Sequence, residues 1–143
     1  MIKIAGAFSC APPAGWIKSR GPAGWVYRRP GRELVISYRP IKAGHQPKAR
    51  AAAVETLVKT TLRAFKNESK NPQWLTALPL CKVHENNLEF WVQSLSTRDR
   101  TRGNSSAVIR GISGVLLVRL EAPYKVDHYP HFVKFLRTVK ILI

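Results

Sequence analysis

Between Gly24 and Pro40 the chain reads GWVYRRPGRELVISYRP, with apolar and polar residues alternating on both sides of Pro30-Gly31. A period of two belongs to strands with one buried face, so the stretch predicts a β-hairpin. In that register Trp25, Tyr27, Leu34, Ile36 and Tyr38 share a face suited to a core. Val26, Arg28, Val35, Ser37 and Arg39 share the other, a basic contact face. Pro followed by Gly suits a type II turn; because tight hairpins favour the primed types, a slightly longer or bulged loop is expected.

The period changes after Pro47. Ala51, Val54, Val58, Leu62 and Phe65 recur at three- and four-residue steps up to about Asn67, which predicts a long amphipathic helix with Pro47 at its first position. Lys48, Lys59, Arg63 and Lys66 lie off that stripe. Asn67 to Asn86 is expected to be a connection with a short helical turn near Trp74 and Leu78, and Asn87 to Leu95 a strand. Two apolar runs around Gly111 to Gly114 suit a second hairpin or one strand broken by a bulge. The end, YPHFVKFLRTVKILI, suits a terminal amphipathic helix, with a strand as the alternative for its last six residues. So apolar a terminus needs a surface to dock on, within the chain or on a neighbour.

These elements define an α+β class: a small mixed sheet with a basic β-hairpin, one long amphipathic helix, a terminal amphipathic segment and an extended N-terminal arm. The arm is the Gly/Pro-rich stretch 1–24, and residues 25–143 form a single domain. A chain of 143 residues that is 45% hydrophobic has the means to build one core.

Charge points to the partner. Lys and Arg number 24 against 8 Asp and Glu, a formal net charge of +16, and such a field attracts polyanions. From Met1 to Val54 only Glu33 is acidic. Arginines fork phosphates while aromatic rings stack on bases, so Trp16, Lys18, Arg20, Arg28, Arg29, Arg32, Arg39, Lys42 and Lys48 form the first candidate contact surface. Arg98, Arg100 and Arg102, in a loop with Ser96, Thr97, Thr101, Ser105 and Ser106, form the second. The function expected is a non-catalytic structural subunit of a nucleoprotein assembly, RNA-binding and ribosomal-protein-like, touching neighbouring subunits through the arm and Phe132–Ile143. The alternative is a coat or virion protein that self-assembles around packaged nucleic acid, and behind it a small nuclease using His84 and His131 as general acid and base.

Carboxylates are too scattered for a metal-dependent nuclease, and no phosphate loop, dinucleotide glycine pattern or nucleophile elbow is present. No enzyme and no cofactor are expected. Cys81 with His84 and His128 with His131 are a candidate zinc set, against which stand the shortage of thiolates and the proline inside the second pair. Two cysteines make no disulfide framework and no apolar run reaches the roughly 18 residues of a membrane span. An intracellular reducing compartment, or a virion in the alternative reading, is expected.

Overall fold

The computed structural model describes residues 1–21, 24–42, 46–124 and 128–142. Among them ten strands form two sheets, and every pairing is antiparallel. The small sheet joins β1 (Ile2–Ile4), β2 (Phe8–Cys10) and β10 (Lys140–Ile141), with β2 in the middle. The large sheet contains β3 (Ile17–Gly21), β4 (Gly24–Arg29), β5 (Arg32–Pro40), β6 (Trp74–Glu85), β7 (Leu88–Thr97), β8 (Arg102–Arg110) and β9 (Gly114–Pro123). Its order is β3-β4-β5-β9-β8-β7-β6. Two helices complete the chain, α1 (Pro47–Ser69) and α2 (His128–Leu136).

The predicted hairpin is β4-β5, in the predicted register, with Trp25 opposite Ile36 and Tyr27 opposite Leu34. Its loop is shorter than expected. Arg29 pairs with Arg32, leaving only Pro30-Gly31, and Gly31 takes the φ of 75° that the second central position of a type II turn requires.

Both faces of the large sheet are covered. On one, Val54, Val58 and Phe65 of α1 pack on Val108 and Val115, flanked by Trp91 and Leu117. The helix stripe departs from expectation at its margins, since Ala51 is exposed and Leu62 half-buried, while Thr61 is buried and donates to the Leu57 carbonyl. On the other, Leu34, Ile36, Ala107, Ile109, Leu116 and Val118 meet Phe8 from β2 and Phe132, Phe135 and Leu136 from α2. Central strands buried on both sides explain the continuous apolar runs of β8 and β9.

Three expectations are corrected. Residues 1–24 are not an extended arm: β1, β2 and β3 lie in the two sheets, and Phe8 and Cys10 are fully buried. The apolar residues of the N-terminus find their burial against α2 and the large sheet, which outweighs the Gly/Pro content. Trp74 to Glu85 is a long edge strand rather than a connection, tolerating Pro79 through two register shifts. Ser105 and Ser106 lie buried in β8 rather than in a loop. Ser105 meets its polarity through a 2.9 Å hydrogen bond with Ser94. The apolar terminus docks within the chain, with Phe132, Phe135, Leu136 and Val139 all buried.

A polar layer fastens the end of α1 to the sheet. Arg119 and Asn104 both donate to Glu68, at 2.6 and 3.1 Å, and Gln93 donates to the Phe65 carbonyl at 3.0 Å. Nearby, Glu89 accepts from Lys82 at 2.8 Å and faces the Arg110 Nε at 3.3 Å, an ion pair without hydrogen-bond geometry. The Lys82 bond, with the charges of Arg110, Lys82 and His84, holds Glu89 below the usual carboxylate range against the opposing pull of burial. A carboxyl depressed in the folded state stabilises above its ordinary value of 4.5 and loses that contribution as pH falls through its folded value. Glu89→Gln is therefore expected to flatten the fall in stability below pH 4.5 in acid titrations of melting temperature. An acid limb identical to that of the unaltered protein would contradict this coupling.

Tyr27 shows the opposite economy. It is buried, its hydroxyl finds no hydrogen-bond partner among the described residues, and burial raises its pKa with the nearby Cys10 adding to the effect. Tyr27→Phe is expected to leave stability unchanged or raise it by up to about 1 kcal/mol in urea unfolding, because an unpaired buried hydroxyl costs free energy. A loss above about 1 kcal/mol would mean that the hydroxyl is satisfied in solution.

Candidate ligand-binding groove

Where the N-terminal segment crosses the hairpin tip, the two layers leave a groove of about 590 Å³. That lies within the roughly 300–1,000 Å³ of small-molecule sites. One wall is residues 11–14 with Trp16, another the β4-β5 tip with Arg29, Arg32 and Leu34, and a third the end of β9 with Leu120, Ala122 and Pro123. The fourth is α2 and its exit, with His131, Phe132, Lys134, Phe135 and Thr138. The walls are tied together locally. The Ala11 N–H donates to the Thr138 hydroxyl at 2.9 Å, and that hydroxyl donates to the Phe135 carbonyl at 2.7 Å.

The floor is apolar because strand alternation sends Leu34, Leu120 and Ala122 to the same side, where Phe132 and Phe135 lie one helical turn apart. The rim is cationic and, among the described residues, no carboxylate lines the groove. The described acids that form ion pairs lie elsewhere: Glu33 holds Arg28, Glu55 and Glu89 hold Arg110, Glu68 holds Arg119, and Glu85 holds Arg137. Among the described residues Arg29, Arg32 and Lys134 enter no ion pair. Their charge is not neutralised by any described carboxylate.

The residues expected to contact nucleic acid are dispersed. Trp16, Arg29 and Arg32 meet at the groove. Lys18 and Arg20 lie over the ring of Trp25, at 4.0 and 5.4 Å from its centre. Arg28 is bound to Glu33 at 2.7 Å, Arg39 is exposed at the far end of β5, and Lys42 and Lys48 are exposed near the start of α1. In the arginine loop, Arg98 donates to the Pro72 carbonyl and Arg102 to that of Gly31 at 2.7 Å, while Arg100 takes a φ of 57° in the turn. Much of that loop's basicity serves its own structure. Among the described residues no three His, Cys, Asp or Glu side chains gather as metal ligands. Cys81 and His84 lie on β6 and His131 on α2, and the side chain of His128 lies outside the described residues. Both cysteines are free thiols, and burial pushes Cys10 up to about 11.

The arrangement defines a strand-rich α+β protein with a helix on each face of an antiparallel sheet and a small-molecule-sized groove at one end. No family model and no curated protein sequence matches the chain. Among solved structures it is similar to cyanobacterial PsbP (CyanoP) from Synechocystis sp. PCC 6803, with 13% identity, a TM-score of 0.54, and 97% of this chain and 89% of that one covered. It also matches LpqN, involved in cell envelope biogenesis of Mycobacterium tuberculosis, at 15% identity and a TM-score of 0.49, over 95% and 83% of the two chains. The shared feature is the fold. The expectation of an RNA-binding, ribosomal-protein-like or virion subunit, with a nuclease behind it, is corrected accordingly: the fold is shared with cyanobacterial PsbP, which is not a ribosomal or virion protein. Net charge misled because it says nothing of where the excess cations lie: they are dispersed over the groove, the β3-β4 ribbon and the arginine loop, where Arg98 and Arg102 are held by backbone carbonyls.

Proposed function

We propose that this protein is a non-catalytic binding protein whose groove takes an amphiphilic anion, a carboxylate on a medium-length alkyl chain. The observation that carries the reading is a groove with an apolar floor, a rim containing Arg29, Arg32 and Lys134, and no acidic lining residue among the described residues. The alkyl chain would lie over Leu34, Leu120, Phe132 and Phe135, gaining about 0.8 kcal/mol per buried methylene. The carboxylate would accept from the guanidinium groups at the hairpin tip, which present planar pairs of donors.

The test is a map of amide shifts on adding decanoate to isotope-labelled protein. Shifts are expected at Trp16, Leu34, Ala122 and Phe135 and none at Val54 or Val58, which belong to α1 on the opposite face. No shifts, or shifts spread evenly over both faces, would overturn the assignment.

A further inference from the structure

The two edges of the large sheet are treated differently. β6 is interrupted by register shifts between Thr76 and Leu78 and between Leu78 and Cys81, with Pro79 removing a backbone donor. Such features prevent a further strand from adding. β3 has none of them. Its five residues pair with β4 without a shift, and no described strand lies on its outer side.

The side chains of β3 say what such a strand would look like. Lys18 and Arg20 project on one face, opposite Tyr27 and Trp25 of β4, and enter no ion pair among the described residues. The other face offers Ile17, which is 74% exposed, opposite Arg28 and diagonal to the half-buried Val26. A second copy pairing through its own β3 would bring cations against cations, which is destabilising across a ladder. An acidic strand meets the opposite sign.

We propose that the β3 edge is a docking site for an extended segment of another protein, in which acidic residues alternate with apolar ones, added as a further strand of the sheet. The acidic residues would lie beside Lys18 and Arg20, and the apolar ones beside Ile17. Backbone pairing supplies the attachment, and the alternation supplies the selection. This surface is separate from the groove, so neither proposal depends on the other.

The experiment uses the full chain and three fluorescent peptides: one alternating Glu and Val over eight residues, one alternating Lys and Val, and the Glu-Val peptide N-methylated at alternate residues, prepared in both phases. By anisotropy, the Glu-Val peptide is expected to bind and the Lys-Val peptide to bind at least about tenfold more weakly. Lys18→Glu with Arg20→Glu, both exposed positions, is expected to reverse that preference. One phase of N-methylation is expected to abolish binding, because it removes the N–H groups facing β3. Equal binding of the acidic and basic peptides, no binding of either, an unreversed preference in the variant, or binding indifferent to both phases of methylation would each overturn the proposal.

Discussion

Phe8→Ala is expected to lower the unfolding free energy by about 3–5 kcal/mol, the usual cost of deleting a buried aromatic ring. The ring is completely buried between the small sheet and the large one, edge-on to Tyr38 with ring centres 6.0 Å apart. The backbone around it is already as close as it can come. A Cβ built at Gly111 would stand 2.7 Å from the Phe8 ring, so a glycine there is a condition of the packing. Collapse into the vacated space is limited because β2 is fixed on both sides, by β1 and by β10. Urea unfolding followed by tryptophan fluorescence measures the loss. A value under about 1 kcal/mol would mean that the N-terminal strands contribute little to the core, contrary to the burial of Ile4, Phe8 and Cys10.

The second large effect concerns the groove. Arg29→Ala combined with Arg32→Ala is expected to weaken decanoate binding by about 30- to 100-fold, since charge-assisted bonds contribute about 1.5–3 kcal/mol each and partly exposed ones less. Stability is expected to stay within about 0.5 kcal/mol of the unaltered protein, because neither arginine enters an ion pair among the described residues. The combination separates binding from folding. Affinity unchanged in the double variant would place the anion elsewhere, and a large loss of stability would show the two arginines to be structural.

The elements legible in the sequence are those whose pattern is local. The alternation from Trp25 to Tyr38 specified both strands of the hairpin and their inward face, and the steps from Val54 to Phe65 specified α1. Where tertiary context decided, local reading failed. Phe8 and Cys10 look like part of a glycine- and proline-rich tail until β10 and α2 come to cover them. Ser105 and Ser106 look like loop residues, because the Ser94 hydroxyl that satisfies Ser105 is separated from it by a whole hairpin. The groove is of the same kind. Pro12, Leu120 and Phe135 come from three distant segments and have no common motif, so of the lining only Trp16, Arg29 and Arg32 are legible in the sequence as binding residues. His131 belongs to the candidate zinc set, but among the described residues no cluster of metal ligands forms.

The most direct test of the groove as a site for amphiphilic anions is calorimetric titration of the protein with octanoate and, in parallel, octan-1-ol. The two share an alkyl chain and differ in charge. With Arg29, Arg32 and Lys134 at the rim, octanoate is expected to bind at least about tenfold more tightly, and each added methylene to improve affinity about fourfold until the floor is covered. Equal affinity for acid and alcohol, or no heat from either, would contradict the account.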